Sequence, residues 1–199
     1  SADLCDQVVF DGKGGGSQPI LEALEKANMF LIPLDNQRLW YRYHHLFSEM
    51  LLHSLQRTSP EEIPSLHYRA SEWFEAKGLI PEAARHGLAS KDWKFVNVFL
   101  DHHALPMLFQ GHVNLVVEWC RDIPRAYLEK APDICIYYAW ALVLTFRQDY
   151  MGSVEEKLQI AERAITRPDF PAFADVGQNQ ARVPYRDWVI GHMCVIRSQ

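Results

Sequence analysis

The sequence predicts a mainly α chain with a single β-hairpin near its start. Three observations carry that prediction. From His45 onward, apolar residues recur at helical spacing. One stretch, 30–43, is instead rich in aromatic and branched residues on both sides of a turn. Gly and Pro fall at intervals that cut the helical part into short segments.

The elements follow in order. Leu4 to Phe10 is a short apolar segment, and the Gly-rich run 11–17 reads as a flexible loop. That run is not a phosphate loop of the G-x-x-x-x-G-K-[ST] type, because Lys13 is followed by Gly14. Pro19 opens a helix at a position proline tolerates, Ile20, Leu21, Leu24 and Ala27 form its apolar spacing, and Asn28 closes it. The runs 30–34 and 38–43 are the strands of the hairpin, turning at Asp35, Asn36 and Gln37, with Pro33 confined to an edge. Leu46, Met50 and Leu51 begin the next apolar stripe, and Leu66, Ala70, Trp73 and Phe74 form another. Gly78 ends that helix and Pro81 starts the next, which carries Ala84 and Leu88. Asp92 is placed to cap a helix with Phe95, Val96, Phe99 and Leu100 on one face, and Pro106 is expected to kink or break it. After Gly111, Val113, Val116, Val117 and Cys120 form a stripe, and Pro124 and Pro132 bracket a connection. Helices follow over 134–147, which is apolar enough to be buried, and over 153–165, where Ser153 and Glu156 fit a capping box. A longer loop over 168–177 and a last helix near 185–197 complete the chain.

A helix, a hairpin and a second helix in succession is the order of a winged-helix unit. Turns near 78, 111 and 149 are roughly 33–38 residues apart, the period of helix–turn–helix solenoids. Ala139-Trp140, Leu142, Tyr150, Ala161 and Pro168 loosely follow the tetratricopeptide pattern. The expected architecture is a winged-helix remnant over 1–57, followed by a tetratricopeptide-like helix-pair solenoid over 58–199. Trp73, Phe74, Trp93, Phe95, Trp119, Tyr137, Tyr138 and Trp140 are read as core between the helix pairs, the competing place for them being a concave ligand-facing groove.

Composition excludes several function classes. A hydrophobic share of 48 % over 199 residues suits an ordinary soluble domain or two, and no apolar run approaches the ~20 residues of a membrane span. A net charge of −5 without a Lys/Arg cluster argues against a DNA-gripping face. Cys5, Cys120, Cys135 and Cys194 form no CxxC pair, so free, buried thiols in a reducing cytoplasm are expected. His44, His45 and His53 share a region and His102 adjoins His103, but His45 and His53 stand two turns apart, and no metal site is read from them. No G-x-S-x-G and no Cys beside a His is present. No metal, no catalytic residue and no cofactor held by this segment itself are therefore expected. Without an initiator Met, a signal peptide or a closing helix stop, the sequence reads as a piece of a longer protein.

Three stretches together resemble a known family: Leu21 to Asp35; Trp40 to Phe47; and Leu66 to Trp93, with Arg69-Ala70, Trp73-Phe74, Gly78 to Ala83 and His86. They are similar to the large LuxR-type transcriptional activators related to the maltose-regulon activator, within the STAND class of signal-transduction ATPases. The likeness covers roughly residues 18–166, and 41–47 is its most specific part. It implies a parent protein with a nucleotide-binding domain, a winged helix, helical repeats and a terminal DNA-binding helix-turn-helix. This segment would hold the end of the winged helix and the start of the repeats, with ATP or ADP bound by the parent's own nucleotide-binding domain. Related ATPases carry a Met-His-Asp-Leu motif after the hairpin whose histidine senses the β-phosphate of ADP. Tyr43-His44-His45-Leu46 is similar, which makes His44 the candidate nucleotide sensor of the parent protein, although Tyr43 and His45 depart from the motif. The other reading is that His44 and His45 only satisfy local backbone groups.

The expected function is that of a cytoplasmic regulatory segment. An inducer, small molecule or protein, binds the helical repeats and biases a closed ADP form against an open ATP form that homo-oligomerises. DNA is contacted only through a domain outside this segment. The alternative is a tetratricopeptide-type protein-interaction adaptor without nucleotide switching.

Overall fold

The computed structural model describes residues 1–12, 15–168 and 185–199. Lys13 and Gly14, and most of the expected 168–177 loop, lie outside the described residues. The chain divides into two compact units, Ser1–Asp92 and Trp93–Gln199.

In the first unit, the segment read as merely apolar is a helix, α1 (Ala2–Phe10). Ser1 Oγ accepts from Leu4 N–H at 3.4 Å, and Asp11, with φ 56°, ends it. Its last turn is closed from outside. The Arg69 guanidinium donates to Val8 C=O at 3.0 Å and lies 3.7 Å from the Asp11 carboxylate, the placement a helix C-terminus favours for a cation. Helix α2 (Ser17–Lys26) begins two residues before Pro19. Asp6 makes that start possible: its carboxylate accepts from Gly16 N–H at 3.3 Å and Ser17 N–H at 3.0 Å. Asn28, at φ 51°, follows the helix end.

The two strands, β1 (Leu31–Pro33) and β2 (Tyr41–Tyr43), pair antiparallel with Leu31 opposite Tyr43 and Pro33 opposite Tyr41. The expected hairpin is therefore present, and in a two-stranded sheet Pro33 costs no interior ladder bond. Helix α3 (His45–Thr58) follows at once, yet none of its residues is buried. The stripe Leu46, Met50 and Leu51 exists but has nothing over it within this unit. Beyond a 3-10 turn at Pro60–Glu62, α4 (Ile63–Ala76) and α5 (Ile80–Ser90) pack along each other. Gly78, at φ 74°, makes the turn between them, and Leu79 N–H returns to Phe74 C=O at 2.9 Å. Ala70, Ala83, Ala84 and Gly87 are all buried, and their small side chains bring the two helices close. Ser71 is fully buried, and its hydroxyl donates to Ala83 C=O at 2.7 Å.

The second unit is helical among its described residues: α6 (Trp93–Phe109), α7 (Val113–Arg121), α8 (Arg125–Leu128), α9 (Pro132–Leu144), α10 (Met151–Ile165) and α11 (Tyr185–Arg197). Helix α9 is the expected buried helix. Ile134, Cys135, Ile136, Ala139 and Ala141 are fully enclosed, on all sides of the helix, because α6, α7, α10 and α11 each pack on it. Two polar ties orient it: the Tyr137 hydroxyl donates to the Asp101 carboxylate at 2.6 Å, and the Asn97 amide donates to Asp133 at 2.9 Å.

Three expectations need correction. Pro106 does not break α6; it lies in the last turn, where the helix runs on only to Phe109 and one missing N–H is tolerated. The interval between Pro124 and Pro132 is not a plain connection but contains α8, whose Leu128 is buried. Ser153 and Glu156 form no capping box, because a 3-10 turn at Gln148–Tyr150 feeds α10 from Met151 and leaves Ser153 inside the first turn. Glu156 instead pairs with Lys157 at 2.9 Å and Arg125 at 3.2 Å. The expectation of four buried cysteines holds for Cys120 and Cys135, whereas Cys5 is half-buried and Cys194 exposed. Burial raises the Cys120 and Cys135 thiols, the latter to about 12, so both stay protonated and act as small apolar residues.

Ile136 has no exposed surface. Ile136→Ala is expected to lower stability by about 2–5 kcal/mol, measured as an earlier urea transition by circular dichroism; a change under 1 kcal/mol would mean α9 does not organise this unit.

Candidate functional site

His44 is the N-cap residue of α3 and joins it directly to β2. Its backbone is tightly held. His44 N–H donates to Phe30 C=O at 2.8 Å, and His44 C=O accepts from Phe47 N–H at 2.9 Å and Ser48 N–H at 3.0 Å. Phe30 makes the first of these bonds from a left-handed conformation, φ 55°, which costs a non-glycine residue roughly 1–2 kcal/mol. The Phe30 ring offsets this by packing on Phe47 at 5.3 Å, and Tyr43 reaches Phe47 at 5.5 Å. The His44 side chain is exposed and makes no capping hydrogen bond, and its ring lies 4.5 Å from that of His45. The backbone of His44 is therefore anchored while its imidazole faces outward at the positive end of a helix, a position suited to an anion.

The hairpin turn that sets this geometry rests on Asp35. Its carboxylate accepts from Leu39 N–H at 3.0 Å and Trp40 N–H at 2.7 Å. Those bonds hold the Asp35 carboxyl below the usual range. Arg38, also left-handed at φ 54°, pairs with Glu25 of α2 at 3.1 Å. Trp40 packs edge-on against Trp73 of α4, centroids 6.2 Å apart, and Lys77 lies 5.4 Å over the Trp73 ring. Around this junction Phe30, Leu34, Leu39, Leu46 and Met50 are more than half exposed.

A second cluster went unrecognised in the sequence. His67 on α4 and His86 on α5 face each other with Nδ1 atoms 2.9 Å apart, and His86 stacks on Phe74 at 5.3 Å. One Nδ1–H donates and the other Nδ1 accepts, so the contact requires at least one neutral ring. Burial lowers both histidines; His86 falls to about 4, with His67 and then Arg85 adding to the shift. The signal in the sequence was a histidine on each side of a Gly78 turn, among small residues that allow close approach. Among the described residues no group of three or more His, Cys, Asp or Glu is placed to hold a metal.

Two titrations follow. Asp35 titrates below the ordinary carboxylate range, so the Leu39 and Trp40 amide shifts are expected to persist as pH falls through that range and to change only below it; a change near pH 4 would contradict the turn geometry. His86 binds its proton less readily folded than unfolded. Its contribution to stability is therefore complete above pH 6.5 and is lost as pH falls from there towards about 4. Thermal melts across this window are expected to show the loss, and His86→Phe to reduce it; an unchanged slope would exclude the pair as the acid-sensitive contact.

Residues 1–63 match the family described as the MalT winged helix domain. The chain is 28 % identical over 156 residues to the HTH-type transcriptional regulator MalT of Klebsiella pneumoniae subsp. pneumoniae, covering 76 % of this chain and 17 % of that protein. Against the MalT regulator of Yersinia enterocolitica it is 29 % identical over 160 residues, 80 % of this chain and 17 % of that protein. Against that of Yersinia pestis it is 27 % identical over 150 residues, 75 % and 16 %. The chain thus spans about a sixth of the length of these curated relatives. No solved structure matches it significantly. No helix among the described residues is long and apolar enough to cross a membrane. Residues 1–63 thus match a winged-helix family, and over about three quarters of its length the chain is similar to MalT regulators.

Proposed function

We propose that this chain is a regulatory segment of a bacterial transcriptional regulator, coupling events on its helical region to a nucleotide switch in the parent protein. The observation that carries the reading is the junction at His44. An anchored backbone, an outward imidazole and the start of a 14-residue helix lie beside an apolar surface that this unit does not cover. That surface suits packing on a nucleotide-binding domain, with His44 donating to a phosphate of bound ADP. The match of residues 1–63 to the MalT winged helix domain supports the same assignment.

In this reading the segment itself is not catalytic, and ATP or ADP belongs to the parent protein. The helices after the winged helix act as tetratricopeptide-like repeats that receive an inducer, either a small molecule or a protein. Binding there shifts the population from the closed ADP form to an open form that self-associates in the cytoplasm. DNA contact belongs to another domain of the parent.

The test is calorimetric titration of the full-length protein containing this segment, wild type against His44→Ala, with ADP and with ATP. A lost hydrogen bond to a charged group is worth about 1.5–3 kcal/mol, so ADP affinity is expected to fall by about tenfold or more while ATP affinity changes little. Unchanged ADP affinity would leave His44 as the residue that closes the hairpin-to-helix turn, and would favour a passive adaptor.

A further inference from the structure

We infer that the cavity between α1, α3, α4 and α5 is a binding site for a neutral, largely apolar small molecule. It has a volume of about 330 Å³, within the range of small-molecule sites. Leu4 and Val8 of α1, Leu55 of α3, and Ile63 and Leu66 of α4 line it, and His67 and His86 form its polar wall. The cavity opens to solvent past Val9 and Leu52, which are at least half exposed, so a ligand can enter without a change of fold. Water is a poor occupant, because the lining offers it almost nothing to bond.

The histidine pair defines the ligand class. Each Nδ1 is already engaged by the other ring at 2.9 Å, and burial keeps the pair neutral. The wall therefore supplies no charge to offset the cost of burying an ionised group. It suits a hydrocarbon or aromatic body with at most one hydrogen-bonding group. A molecule seated here touches α1 and α3 on one side and the α4–α5 pair on the other. It braces the joint between the winged-helix segment and the helices that follow, and neither requires nor tests nucleotide binding.

The test uses the 199-residue chain and the neutral fluorescent probe N-phenyl-1-naphthylamine. Saturable binding of one probe per chain is expected, with shifts in the imidazole nitrogen resonances of His67 and His86. Leu52 lies at the cavity rim and is half exposed, so Leu52→Trp fills the mouth without crowding the core. It is expected to weaken binding at least tenfold. Leu46→Trp, on the exposed face of the same helix and outside the cavity, is expected to leave it unchanged. Decanol should displace the probe at least tenfold better than decanoate at pH 7.5. Non-saturable binding, equal affinity in the Leu52→Trp chain, or unmoved histidine resonances would overturn the site. Equal displacement by decanoate would overturn the neutral-ligand assignment.

Discussion

The first unit depends on the close approach of α4 and α5. Ala70, Ala83, Ala84 and Gly87 leave no side-chain bulk between the two helices, and Ser71 spends its buried hydroxyl on Ala83 C=O. That contact sets the position of everything α4 then holds. Arg69 reaches out to close the end of α1, and Trp73 receives Trp40 from the hairpin. His67 meets His86 across the same interface, so a pair of titratable rings sits where the helices are closest. A larger residue at Ala83 or Ala84 would disturb the helix pair, the histidine contact and, through α4, the docking of α1 and the hairpin.

The two units solve the burial of apolar helices in opposite ways. Helix α9 is apolar on every side and is enclosed by four others, so most of its side chains leave water. Helix α3 carries Leu46, Met50, Leu51 and Leu52 and buries none of them. A helix of that composition gains little stability on its own and is costly to leave wet. It starts at His44, next to a left-handed Phe30 held by its own ring contacts. Strain and exposed apolar surface coincide at one junction, which fits the proposed contact with another domain better than a purely structural hairpin.

Much of this was legible in the residues. The hairpin was, because two aromatic and branched runs flank a polar turn, and the α4–α5 turn was, because glycine at position 78 adopts its φ of 74° without steric cost. Helix α9 was, because continuous apolarity without the length of a membrane span leaves burial as its only outcome. His44 was a candidate only through the resemblance of Tyr43-His44-His45-Leu46 to a motif of related ATPases.

Local pattern and composition thus determined most of the helices, though not α1 or α8, and where the chain turns. Only the tertiary structure decided the rest, since it depends on partners distant in sequence. Asp6 moves the start of α2 ahead of Pro19, and Arg69 ends α1 from 61 residues away. A preceding 3-10 turn displaces the cap expected at Ser153. His67 and His86, 19 residues apart, become one hydrogen-bonded pair because small residues let two helices touch. No periodicity encodes those contacts, because each is a distance between side chains that exists only once the helices have packed.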